Sequence, residues 1–210
     1  MKKIISVVSL LSLIFCSLVA NPLDGNPLES FLPSFDSGNK NVIIDYEGKS
    51  EGRQIPQWVE FVIGGKGYGS GLEDFIPAVK GKQVFIAVGQ DDKLSNAYIK
   101  SGINLGGQVF ATAEKKAGNK LANEDSYTIP GSFSYFLPKI IDGLLDSGKL
   151  KSEEQCWLKY NKVDKKGNII DTYYKSYSVW TLDSKLFDET IEGLLENAEE
   201  YFMKLFEKLK

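Results

Sequence analysis

Val84-Phe85-Ile86-Ala87-Val88-Gly89 is an unbroken apolar run, and four polar residues later the chain changes to a helical period from about Leu94 to Ala117. A short apolar run closed by glycine reads as a buried strand, and two dozen residues with recurring apolar positions read as a helix. A strand followed at once by so long a helix constrains the fold, because the helix must lie back across the sheet that holds the strand.

The helix is unusual in its small residues. Ser101, Gly102, Gly106, Gly107, Ala113 and Ala117 sit among Tyr98, Ile103, Leu105, Val109 and Phe110. Each internal glycine costs a helix about 1 kcal/mol relative to alanine, so the pattern predicts close approach to another backbone. Gly102 and Gly106 share one face. In lipid that spacing would suggest helix dimerisation, but Lys100, Asn104, Gln108, Glu114, Lys115 and Lys116 argue against a lipid-buried segment. The reading is a helix pressed tightly on a sheet, with a break at Gly106-Gly107 left open. Ser95 is the expected cap.

Downstream, Tyr135-Phe136-Leu137-Pro138 opens a helix to Leu145, with Pro138 in its first turn and Gly148 as its stop. Gln155 to Val163 alternates, with Trp157, Lys159 and Asn161 opposing Cys156, Leu158, Tyr160 and Lys162. A turn at Asp164-Lys165-Lys166-Gly167-Asn168 leads to the aromatic run Ile169 to Leu182, which makes a hairpin. Ser184 is the expected cap of a last helix. Its stripe is Phe187, Ile191, Leu194, Ala198, Tyr201, Leu205 and Leu209, widened by Leu195, Phe202 and Phe206. That stripe suits a sheet or a self-association seam. Early acids and late lysines match the helix dipole and oppose a membrane-surface helix, which favours a basic polar face. The fold class that follows is α+β: a small antiparallel sheet against a long helix, with an extra C-terminal helix and an N-terminal signal segment. Phe85, Ala87, Val109, Phe110, Leu158 and Trp180 are expected in the core, with Trp58 plugging the edge of the helix–sheet layer.

The N-terminus reads as a targeting element. Lys2-Lys3, an apolar core from Ile4 to Phe15 and a small residue at Ala20 are the parts of a secretory signal peptide. A retained anchor is the alternative, although 17 residues from Ile4 to Ala20 fall short of the roughly 20 that a bilayer prefers. A third reading is lipidation at Cys16, because Leu13-Ile14-Phe15-Cys16 places an aliphatic residue three positions before the cysteine. Phe15 departs from the small residue such sites use, and one acyl chain alone would attach the chain only marginally. The organisation is therefore a signal peptide at 1–20, a Pro- and Gly-rich linker or irregular segment at 21–53 with Val42-Ile43-Ile44-Asp45-Tyr46 as a short strand, and one domain at 54–210.

Composition narrows function. The 210 residues contain no His, which removes Ser-His-Asp and Cys-His pairs and His-ligated zinc. After residue 20 there are 23 basic against 28 acidic residues, and Arg53 is the single Arg, so nucleic acid is not an expected partner. With Cys16 removed or lipidated, Cys156 is the one thiol of the exported body and reads as a buried strand residue. The cluster Gly64-Gly65-Lys66-Gly67-Tyr68-Gly69-Ser70-Gly71 lacks the GxxxxGK[ST] string and leads into a short acidic stretch, so it reads as a surface loop. Glu73-Asp74, Asp91-Asp92, Glu124-Asp125 and Glu153-Glu154 are adjacent acids. Adjacent strand residues point to opposite faces, which favours solvated surface, and Asp91-Asp92 after the first strand is the best metal candidate. Hard cations want roughly six to eight oxygens, so no residue is assigned as catalytic, cofactor-binding or metal-binding.

Pro56-Gln57-Trp58-Val59, Phe85-Ile86-Ala87-Val88-Gly89, the small-residue helix and Ser178-Val179-Trp180-Thr181-Leu182-Asp183 come in an order and spacing that resemble the lipoprotein-20 family of bacterial envelope proteins, over about residues 55 to 195. The glycine loop between Trp58 and the strand is an insertion relative to that pattern. The resemblance implies a dodecin-like β-α-β-β fold and an envelope protein of the periplasm or outer membrane, attached through Cys16 where that residue is lipidated. It implies partners among envelope proteins or a second copy of the chain, and it brings no shared catalytic motif and no cofactor. The expected function is non-enzymatic, through protein contacts or assembly. The rival is a periplasmic small-ligand or divalent-cation binder, or a carboxylate hydrolase.

Overall fold

The structure, a computed structural model, describes residues 39–47, 55–65, 71–122 and 128–209. Residues 1–38, with the signal segment and Cys16, lie outside the described residues, as do 66–70 of the glycine cluster and the Glu124-Asp125 pair.

The elements are β1 (Lys40–Tyr46), α1 (Gln57–Ile63), 3-10 turns at Leu72–Asp74 and Pro77–Val79, β2 (Lys82–Asp91), α2 (Leu94–Leu121), α3 (Gly131–Asp146), β3 (Lys151–Val163), β4 (Ile169–Asp183) and α4 (Ser184–Leu209). The strands form one antiparallel sheet in the order β1-β3-β4-β2. The α+β class and the sheet-plus-long-helix architecture hold.

The sheet is buried on both faces, since alternate residues of one strand enter separate cores. Phe85 and Ala87 join Leu105, Val109, Ala113, Phe133, Ile140, Leu144, Phe187 and Ile191 under α2, α3 and α4. Ile86, Cys156, Leu158, Tyr173, Tyr177 and Val179 meet Trp58, Val59, Leu72 and Val79 from α1 and the 3-10 turns. Trp58 therefore fills the face opposite the long helix and not the edge of the helix–sheet layer. Phe85, Ala87, Val109 and Leu158 are buried as expected, whereas Phe110 and Trp180 are only partly buried against the first core.

The long helix is continuous through Gly106-Gly107. Its close approach is made by a strand glycine. A Cβ on Gly89 would collide with the Ala97 carbonyl oxygen and the Ser101 amide nitrogen, with the Lys100 carbonyl carbon at 3.0 Å, whereas Gly102 faces open space. Ala97, Ser101, Leu105, Val109, Ala113 and Ala117 recur every four residues as the buried stripe, and the Ser101 hydroxyl lies 3.2 Å from that of Ser178 across the contact.

Local differences have simple causes. At the start of α2 no side chain caps the helix, Ser95 included; Asp91 Oδ1 instead holds the turn ahead of it, accepting from the Lys93 amide at 3.2 Å and the Asn96 side chain at 3.0 Å. Asp183 caps α4 by accepting from the Leu186 amide at 2.8 Å, while Ser184 donates to the Gly81 carbonyl. The third helix begins at Gly131 behind Pro130, which puts Pro138 in its interior. It ends as read: Gly148, at φ 68°, donates to Leu145 and Lys149 donates to Leu144. The last helix bends at Asn197, which has φ −155° and ψ 88°. Asn197 Oδ1 accepts from the Glu200 amide and its side-chain amide donates to the Glu200 carboxylate, an N-cap that starts a new helical segment. The bend lays the Tyr201 ring on Gly193 and brings its hydroxyl to within 3.1 Å of Thr190.

In the α1-side core the hydroxyls of Tyr160 and Tyr177 meet at 3.0 Å, and Tyr160 stacks on Tyr173 at 5.2 Å. Burial pushes both phenols of the hydroxyl pair up. Tyr160→Phe strands the Tyr177 hydroxyl and is expected to cost about 1–3 kcal/mol. The double change to Phe should cost less than the two singles together, because no buried hydroxyl is left alone. Urea unfolding of the four members of the cycle checks this, and a strictly additive result would refute the coupling.

Candidate interaction surface

Among the described carboxylate candidates, Asp91, Glu73 and Glu153 are engaged within the chain. Asp91, besides holding the turn before α2, places Oδ2 2.6 Å from Lys100 Nζ. Its hydrogen bond with Asp92, then Lys100, holds its carboxyl well below the usual range, and the same pairing raises Asp92. Glu73 turns back to accept from the Gly71 amide at 3.2 Å. Glu153, its side chain only 6% exposed, accepts from Thr181 at 2.6 Å and meets Lys82 at 3.1 Å and Lys151 at 3.4 Å. Among the described residues no group of three or more acids or cysteines is placed to hold a metal ion. Asp91 thus ties the turn before α2 to Asn96 and Lys100, and Glu153 is the centre of an ion-pair cluster.

The Thr181 hydroxyl and then the two lysines lower the Glu153 pKa. A carboxyl lowered on folding stabilises the fold above its ordinary pKa, and that contribution is lost as pH falls through the lowered value. Glu153→Gln should therefore reduce stability at neutral pH and flatten its fall below about pH 4.5. Thermal melts across that window check this; parallel wild-type and variant curves would contradict it.

The two sheet edges differ. At β2, α2 reaches over the edge: the Asn104 side-chain oxygen accepts from the Val88 amide at 3.1 Å. The Gln108 amide donates to the Ile86 carbonyl at 2.6 Å and to Asn104 at 2.8 Å. These side chains occupy main-chain groups that another strand would otherwise use.

No described element pairs with the outer side of β1. Its pairing with β3 runs Val42 to Asn161, Ile43 to Tyr160, then across a bulge to Asp45 with Lys159 and Tyr46 with Leu158. The Glu47 amide donates to the Trp157 carbonyl. Hydrogen-bonded pairs alternate along an antiparallel ladder, so Val42 and Asp45 turn their main-chain groups toward β3, and Asn41 and Ile43 turn theirs outward.

The same end of the sheet exposes apolar side chains. Val42, Ile43 and Ile44 are 44%, 39% and 38% exposed, and Ile169 and Ile170 at the start of β4 are 61% and 51% exposed. These five are half of the large apolar residues left exposed among the described residues, and such clustering marks interaction surfaces. On the α2-side face next to them, Trp157 meets Tyr174 edge-on at 5.7 Å, with Lys159 Nζ 5.3 Å from the Tyr174 ring centre. The short strand was legible in the sequence; the exposure of its apolar residues needed the sheet order, which no local pattern encodes.

Cys156 is buried in the α1-side core. Among the described residues no helix is long and apolar enough to cross a membrane. No protein-family model, curated protein or solved structure matches this chain.

Proposed function

We propose that the chain is an exported, non-enzymatic cell-envelope protein that acts through protein contacts or assembly, with the β1 edge as its contact surface. One observation carries the contact reading: α2 side chains close the β2 edge, whereas β1 leaves outward main-chain groups beside exposed Val42, Ile43 and Ile44. An open apolar edge is how sheets recruit an extended strand. The envelope part rests on the segment at 1–20 and on the resemblance to the lipoprotein-20 family. In that reading residues 1–20 direct export, and Cys16 either leaves with them or carries a lipid.

Cross-linking in intact bacterial cells, with fractionation and identification of the linked residues, tests both parts. Cross-links at residues 40–46 in a periplasmic or membrane fraction support the reading. A chain confined to the cytosolic fraction overturns the envelope part, and contacts confined to α3 and α4 overturn the surface.

A further inference from the structure

Strand β1 carries opposite charges at its two ends, Lys40 and Asp45, around the apolar centre Val42-Ile43-Ile44. A strand of that kind complements itself when two copies run antiparallel. We infer that β1 pairs with β1 of a second copy about a two-fold axis at Val42, joining the two sheets into one of eight strands. The inference deepens the contact reading above and rests on it.

Face parity selects the register. A two-fold axis perpendicular to a sheet keeps every side chain on its own face, so each residue must oppose one from the same face. Pairing with β3 puts Lys40, Val42 and Asp45 on the α2-side face and Asn41, Ile43 and Tyr46 on the other, with Ile44 as the extra residue of the bulge. An axis at Ile43 would set Asn41 against Asp45, which lie on opposite faces. An axis at Val42 opposes Val42 to its own copy and Asn41 to Ile43, and sets Lys40 against the bulged Ile44-Asp45 step. All these pairs share a face.

The hydrogen bonds agree with that register. Asn41 and Ile43 have the outward main-chain groups, so the two Asn41–Ile43 pairs become the hydrogen-bonded pairs of the new ladder. Val42 faces its copy as a close non-bonded pair. Each Lys40 ammonium comes beside the Asp45 carboxylate of the other copy, giving two ion pairs. Among the described residues of the single chain, Asp45 Oδ1 is a buried acceptor with no hydrogen-bond partner. With the β2 edge closed by Asn104 and Gln108, pairing stops at two copies and does not propagate.

The test is light scattering coupled to size exclusion on the purified full chain over a range of concentrations, with a photoreactive side chain at position 43 as a second readout. The wild type should reach twice the single-chain mass. Asn41→Pro removes an outward amide while sparing the bonds to β3, and should give single chains. Lys40→Glu should weaken dimerisation about tenfold or more, and Lys40→Glu combined with Asp45→Lys should restore it. A single-chain mass at every concentration, or a dimer indifferent to these changes, overturns the inference. In that case a position-43 adduct to a different envelope protein would leave the contact reading standing, and no adduct at all would remove both.

Discussion

Gly89→Ala should destabilise the protein by on the order of 3 kcal/mol or more, at the top of the range for inserting an atom into a packed interior. The new methyl would land on the Ala97 carbonyl oxygen and the Ser101 amide nitrogen. Both are main-chain atoms of α2, so no side chain can rotate away, and the helix itself must lift from β2 and β4. Lifting it would part Ser101 from Ser178 and pull Asn104 and Gln108 off the β2 edge. Gly102→Ala is the matched control. It lies mid-helix with nothing within 4 Å of the added carbon, and should stabilise by roughly 0.5–1 kcal/mol through helix propensity. Chemical denaturation of both variants decides. Equal, small effects would mean that α2 does not rest on Gly89.

That pair of glycines shows where sequence reasoning runs out. A helix rich in small residues announces a close contact but not which partner makes it. Gly102 shares a face with Gly106 on paper but faces open space, and a glycine with no room for a Cβ sits on the strand, where the Ala97 carbonyl and Ser101 amide of α2 come against Gly89. The strand Val84–Gly89, the long helix, the 164–168 turn and the hairpin were legible because each is written in local period and turn chemistry. The bend at Asn197 was also written, as Asn197-Ala198-Glu199-Glu200, but the apolar stripe runs through it unbroken and hides the N-cap. Pro138 misled because proline marks a first turn more often than an interior. The edge surface was half legible: Val42–Tyr46 read as a strand, while its place at the rim depends on β3 pairing between β1 and β4, a relation more than a hundred residues apart in sequence.

Phe187→Ala should cost about 3–5 kcal/mol, the usual toll for a buried phenylalanine. Phe187 is fully buried early in α4, meets Phe85 of β2 edge-on at 5.9 Å and 87°, and has Lys116 Nζ of α2 5.3 Å from its ring centre. One ring thus touches the sheet, the long helix and the last helix, and its removal leaves a void that no single element can close. The salt bridge from Lys116 to Asp188 at 2.6 Å and the contact of Lys120 with Glu192 cross the same seam at the surface, where ion pairs contribute little; the aromatic contact should dominate. Phe187→Leu keeps most of the volume and should cost less than the truncation. Hydrogen exchange separates two outcomes. If the sheet and helices form one cooperative unit, amides of β2 and of α3 lose protection together in Phe187→Ala. Loss confined to α3 and α4, with β2 unchanged, would show that the sheet with α2 holds its structure independently, and that the ring joins two units instead of completing one.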